Sequence, residues 1–170
     1  MSEGDVFSSI PTKILVPVDF SPSSHAAVEA AADRAHQFGA AVHLVHVVPM
    51  FPPSTLPDYI SETKFTEDAK AAAERHFAAA IADLASRGIK VTSSVEVGED
   101  VPTAILEAVE REKADMVVIS THGLTGWHPL VFGSIAEKIV KLVPCQVLLL
   151  RTPKPASSAK VASGRLMEWW

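Results

Sequence analysis

Short apolar runs without polar alternation recur along the chain, and helical patterns fill the intervals between them. The first run, Ile14 to Asp19, reads as a strand buried on both faces, with Pro17 near its end because proline cannot donate to a ladder. Ser21 to Ser24 supplies hydroxyl caps and a proline suited to a first turn. The helix that follows sets Ala27, Ala31, Ala35 and Phe38 on its inner side and stops at Gly39. A second strand covers Val42 to Val48 and closes at Pro49. Pro52, Pro53 and Pro57 make 49–58 a proline-rich loop. The longest helix runs from about Ser61 to Arg87, with Phe65, Ala69, Ala73, Phe77, Ile81 and Leu84 as its apolar stripe, and Gly88 ends it.

Lys90 to Val97 alternates, which predicts a strand toward a sheet edge with one wetter face. Asp100 and Pro102 open a helix carrying Ile105, Leu106 and Val109. Asp115 to Ile119 is again a fully buried type of strand. Ser134 to Leu142 places Ile135, Ile139 and Leu142 on one helix face, and Gln146 to Leu150 is the last strand. Strand and helix alternate strictly. This predicts a single-domain α/β fold, an open five-stranded parallel sheet with helices on both faces and right-handed crossovers, Rossmann-like in architecture. Ligands of such sheets bind beyond the C-terminal strand ends, where the strand order reverses. A reversal between the first and fourth strands brings Asp19 and Ser120 to one crevice. Residues 1–11 read as a polar arm, 12–152 as the domain, and 153–170 as a tail whose Trp169 and Trp170 are expected to dock on something.

Composition narrows the function classes. The 170 residues suit one domain, and 15 basic against 20 acidic side chains give a net charge of -5. A nucleic-acid surface or an anionic membrane surface needs clustered Lys and Arg, so neither is expected. The single cysteine, Cys145, rules out an internal disulfide framework, the first nine residues lack the features of a secretory signal, and no apolar run is long enough to span a bilayer. A cytoplasmic location is the expectation.

The candidate chemistry lies in the stretch Ser120 to Gly126, which continues to Gly133 and Ser134 at a helix start. A helix start presents unpaired N–H groups and the positive end of its dipole, and glycine lets an anion approach the backbone. The same residues also fit a simple turn followed by a serine cap. His46 reads as a hydrogen-bonded core histidine, and Cys145 as a buried structural thiol. His122 and His128 lie on the loop but lack a third metal ligand in local spacing.

Three motifs together carry a resemblance: KILVPVDFS in the first strand, LVHVV in the second, and the late run ISTHGLTGWHPLVFGSIAEKIVKLVPCQVLLLR. Across Lys13 to Arg151 the chain resembles the universal stress protein family. The nucleotide-binding branch of that family carries Gly-x-x-Gly, nine residues, then Gly-Ser or Gly-Thr, a pattern that falls here on Ser120, Gly123, Gly133 and Ser134. Serine thus stands at the first glycine position. Leu124 stands where many relatives have arginine, and no Lys or Arg occurs from Ser120 to Glu137.

The resemblance implies an adenine nucleotide alpha hydrolase-like sheet of strand order 3-2-1-4-5 and an ATP or related adenine-nucleotide site, with Mg²⁺ as a companion of the phosphates. Asp19 and the backbone at Pro17 and Val18 would meet the adenosine part, and Val47 and Ile119 would wall the base. Ser120, His122, Gly123, Gly133, Ser134 and Ile135 would surround the phosphates. It also implies a homodimer paired through the last strand, Val147 to Leu150, acting in stress response through nucleotide-dependent conformation or partner binding. A nucleotide-free dimeric interaction protein and a slow ATP hydrolase are the alternative readings.

Overall fold

A computed structural model describes residues 10–50, 62–121 and 133–151 of the chain. The expected arm up to residue 9, most of the proline-rich loop, the loop holding His122, Gly123 and His128, and the tail with Trp169 and Trp170 lie outside the described residues. Five strands, β1 (Lys13–Pro17), β2 (Ala41–Pro49), β3 (Val91–Gly98), β4 (Met116–Ser120) and β5 (Gln146–Leu150), alternate with four helices. The helices are α1 (Pro22–Phe38), α2 (Glu62–Ser86), α3 (Val101–Glu112) and α4 (Ser134–Leu142). The strands form one parallel sheet in the order β3-β2-β1-β4-β5, as the sequence resemblance implied.

Local signals explain the element ends. The Ser21 hydroxyl accepts from the Ser24 N–H at 3.1 Å to cap α1, Pro22 fills the first turn, and Gly39 ends the helix in the left-handed conformation at φ 70°. The Asp100 carboxylate caps α3 by accepting from the Thr103 N–H, also at 3.1 Å. At the base of the sheet, the Asp115 carboxylate accepts from the backbone N–H groups of Thr12 and Lys13, which fixes where β1 begins.

The sheet has a core on each face. On one side Ile14, Val16, Leu44 and Val118 pack against Ala27, Ala31 and Ala35 of α1 and against Phe77 and Leu84 of α2. On the other, Leu15, Val45, Val117 and Ile119 pack against Ile105 and Val109 of α3 and Ile139 of α4. The small side chains of α1 let its backbone lie close to the sheet. Two sequence expectations are corrected here. Phe38 is only half-buried, and α1 buries Val28 and Ala32 instead. In α4 the buried pair is Ala136 and Ile139, whereas Ile135 and Leu142 are 39% and 63% exposed. The periodicity identified a stripe, but the stripe is wider than the surface its neighbours cover.

Beneath the α3 side lies a polar network. The His43 ring is 3% exposed, with Nδ1 2.8 Å from the Thr92 hydroxyl and Nε2 3.1 Å from the Ser94 hydroxyl. Glu112 lies 3.7 Å from Nδ1 and accepts from Lys13 Nζ at 2.7 Å. Arg111 reaches both Ser94 and Glu96. Burial pushes the His43 pKa below the ordinary imidazole value, and the Glu112 carboxylate opposes this only in part. The folded state therefore resists a proton that the unfolded chain accepts below about pH 6.5. Stability conferred by neutral His43 is complete above that pH and is lost as pH falls. Urea unfolding at pH 7.5 and pH 5.5 should show a lower midpoint at the acid value, and a smaller drop in His43→Gln. Burial shifts His46 in the same direction, so it is the difference between the two proteins that isolates His43.

Candidate functional site

The C-terminal ends of β1, β2 and β4 and the first turns of α3 and α4 enclose a cleft of about 380 Å³. It lies where the strand order reverses, with β1 flanked by β2 on one side and β4 on the other. Its walls are mainly apolar: Val45 and Val47 from β2, Ile119 from β4, Val101 and Ile105 from α3, and Ile135 and Ala136 from α4. Its polar groups come from Asp19, Ser24, His46, Ser120, Thr121 and Ser134. A flat apolar slot edged by a few polar groups is suited to a heteroaromatic ring carrying a polar appendage.

The turn after β1 is held from several sides. The Val18 N–H donates to the Val45 carbonyl at 2.8 Å, extending the β1–β2 pairing past the end of β1. Asp19 Oδ1 accepts from the Ser21 N–H at 3.1 Å and from its hydroxyl at 2.6 Å, so the carboxylate is fixed beside the α1 cap. Phe20 sits in the left-handed region at φ 61°, which costs a non-glycine residue about 1–2 kcal/mol. Its ring offsets that cost by packing at centroid distances of 4.6 Å from His46, 4.9 Å from His76 and 5.5 Å from Phe77. His46 Nδ1 lies 2.7 Å from the Val18 carbonyl, so this nitrogen carries the proton and donates. Burial lowers the His46 pKa, and the Val18 acceptor and the Asp19 charge counteract only part of that shift.

The opposite wall is the start of α4. Gly133 is its N-cap residue and has no side chain to cap it, so among the described residues no side chain caps the first-turn N–H groups. The alternative sequence reading, a serine cap, is not what forms: Ser134 is the first helical residue. The Gly133 N–H donates to the Thr121 carbonyl at 2.9 Å, tying the helix start back to the end of β4. A Cβ at position 133 would lie 2.9 Å from that same oxygen, so only glycine fits. Ser120, the departure from the glycine pattern, ends β4 in regular strand conformation. The positive-φ non-glycine residues among those described are Phe20 and Lys113, so position 120 does not require glycine for its backbone.

Pro17, Val18, Asp19, Val47, Ile119, Ser120, Gly133, Ser134 and Ile135 all line this one cleft. His122 and Gly123 lie outside the described residues. Sequence reasoning missed Val101 and Ile105, and it treated His46 as a core histidine when the ring is half-buried and reaches the cleft. The Asp100-Val101-Pro102 helix start was a usable signal for the first two, because a helix following an edge strand begins at the sheet's C-terminal rim. Among the described residues no group of three or more His, Cys, Asp and Glu is placed to hold a metal ion. Burial raises the Cys145 thiol to about 11, which keeps it protonated and unreactive, as expected of a structural cysteine.

The family model described as "Universal stress protein family" matches residues 11–151. A universal stress protein of Methanocaldococcus jannaschii is 33% identical over 143 residues, covering 84% of this chain and 83% of that protein. One from Thermus aquaticus is 33% identical over 138 residues, covering 81% and 97%. Among solved structures, the universal stress protein UspA from Lactobacillus plantarum shares the fold at a TM-score of 0.72 and 23% identity, covering 82% of this chain and 97% of that one. A universal stress protein in complex with cAMP has a TM-score of 0.59 at 20% identity, covering 85% and 100%. The Archaeoglobus fulgidus protein in complex with dAMP has a TM-score of 0.58 at 21% identity, covering 83% and 98%. No helix among the described residues is long and apolar enough to cross a membrane.

The contact at Gly133 can be tested by substitution. Gly133→Ala should lower unfolding stability by about 1–3 kcal/mol, because either the Thr121 carbonyl or the α4 start must shift. Gly98→Ala is the control: its Cβ would meet Ala104 Cβ at an ordinary 3.4 Å, and the change should stay within about 0.5 kcal/mol. Urea denaturation of both variants makes the comparison.

Proposed function

Because the chain belongs to the universal stress protein family, matching its model over residues 11–151, we propose that it is an adenine-nucleotide binding module, with ATP among its ligands. The observation that carries this reading is the pairing, across one cleft, of the fixed Asp19 carboxylate with the side-chain-uncapped start of α4. The adenine ring lies in the slot between Val47 and Ile119, with Val101 and Ile105 closing its far side. Asp19 and the backbone at Pro17 and Val18 meet the ribose. The phosphates lie against the first-turn N–H groups of α4, with the hydroxyls of Ser120, Thr121 and Ser134 nearby; His122 and Gly123, which the family resemblance also assigns to the phosphates, follow directly in sequence. The relatives solved with cAMP and dAMP support adenosine as the common part of the ligand.

The role is binding. The chain has no Gly-Lys-Ser/Thr lysine, the part on which efficient nucleotide hydrolases of the P-loop type rely. Nucleotide occupancy would instead change the conformation or the partners of a stress-response protein working in the cytoplasm. The protein pairs as a homodimer through β5: β5 ends the strand order beside β4, and its Val147 to Leu150 are half-buried and wholly apolar.

Isothermal titration with ATP and Mg²⁺, and with AMP, decides the ligand. Binding is expected in the micromolar range, and Asp19→Ala should weaken it roughly 10- to 100-fold through loss of a charge-assisted hydrogen bond. An absence of heat with both ligands at high micromolar concentration would refute the reading. The dimer has its own test in sedimentation velocity at tens of micromolar. Wild type should run as a dimer and Leu148→Lys as a monomer, whereas a monomeric wild type would count against pairing through β5.

A further inference from the structure

Resting on the adenine-nucleotide reading of the cleft, we propose that this site selects for low phosphate charge, taking AMP and its cyclic monoanion more tightly than ATP unless a divalent cation accompanies the triphosphate. The inference comes from the inventory of charge around the phosphate end. The start of α4 faces the cleft at that end, and a helix terminus carries the equivalent of about half a positive charge, enough to favour one phosphate group. Of the side chains that line the cleft among the described residues, none is Lys or Arg, and Asp19 contributes a negative charge.

The sequence joining β4 to α4 supplies no lysine or arginine either, because neither occurs from Ser120 to Glu137. The nearest cations on α4 are already engaged. Lys138 Nζ lies 3.3 Å from Asp100, which also caps α3, and Lys141 Nζ lies 2.7 Å from Glu137. His46 also lines the cleft, but burial disfavours its protonated form. The chain as a whole carries a net charge of -5. Each phosphate beyond the first therefore enters a negative field with amides and hydroxyls as its partners.

Two added unit charges on the order of 8 Å from a carboxylate, in a water-like dielectric, disfavour binding by about fivefold. A divalent cation on the β- and γ-phosphates removes that penalty without needing a protein ligand, because it binds such groups with most of its water retained.

The test is calorimetric titration of the full-length protein with AMP, cyclic AMP, ADP and ATP, first in EDTA and then with excess Mg²⁺. In EDTA the affinity should fall from AMP through ADP to ATP, with AMP at least about fivefold tighter than ATP. Mg²⁺ should narrow that gap by strengthening ATP while leaving AMP nearly unchanged. Ile135→Lys, which adds a cation at the exposed rim of the cleft, should move the ATP-to-AMP ratio about fivefold toward ATP. ATP binding tightest in EDTA would overturn the charge selection and leave the nucleotide reading intact. An absence of heat with all four ligands would overturn the nucleotide reading, and this inference with it.

Discussion

The hydrogen bonding of β1 along both of its edges is the constraint on which the remaining architecture depends. Ile14 pairs in register with Val42 on one side and Met116 on the other, and Leu15 pairs with His43 and Val117. A strand so placed has no solvent-facing side, and Ile14, Leu15 and Val16 are fully buried. Chain growth from β1 to β2 and β3 proceeds in one direction, and the return to β4 and β5 proceeds in the other. With right-handed crossovers, α1 and α2 must then cover one face while α3 and α4 cover the other. At the sheet's C-terminal rim the cleft opens between the ends of β1 and β4, where Asp19 and Ser120 both line it.

Within that cleft the polar groups are of two kinds. The turn after β1 is closed on itself, with Asp19 fixed by Ser21, the Val18 carbonyl engaged by His46, and Phe20 packed against rings from β2 and α2. The start of α4 is the opposite case. The first turns of α1 and α3 are capped by their own Ser21 and Asp100, whereas Gly133 offers no side chain to the first turn of α4. Recognition of an anion by backbone amides alone has a consequence for charge. Amides orient and hydrogen-bond a phosphate oxygen well, but they neutralise far less than a lysine or arginine does, which is the basis of the charge selection proposed above.

The polar network beneath α3 shows the same economy away from the cleft. His43 is buried on a strand made mostly of aliphatic residues, and hydroxyls from the neighbouring strand meet both ring nitrogens. Glu112 and Lys13 close the network at the sheet's base, linking α3 to β1. None of the described buried side-chain polar atoms lacks a partner. Burial at this position therefore favours the neutral form of the histidine.

The alternation of strands and helices, their approximate limits and the two side-chain-capped helix starts were legible in the sequence, because periodicity, Gly39, Pro22 and Asp100 act over a few residues and require no knowledge of neighbours. The motif resemblance added the strand order and placed Asp19, Val47, Ile119 and Gly133 near one another. Tertiary structure decided which part of each apolar stripe is covered. Ile135 and Leu142 share the helical spacing of Ile139, yet only Ile139 lies against the other face of the sheet and α3. The packing of α3 brought Val101 and Ile105 to the cleft, and the turn after β1 drew the His46 ring from a core position into contact with both the Val18 carbonyl and the cleft. It also fixed the backbone surroundings of two positions of the glycine pattern. Ser120 is ordinary strand, whose backbone serine adopts without strain, while a side chain at Gly133 forces a shift, because a carbonyl from a residue twelve positions earlier lies 2.9 Å from where it would begin. Contacts of that kind depend on how separate elements meet in space, which local pattern cannot encode.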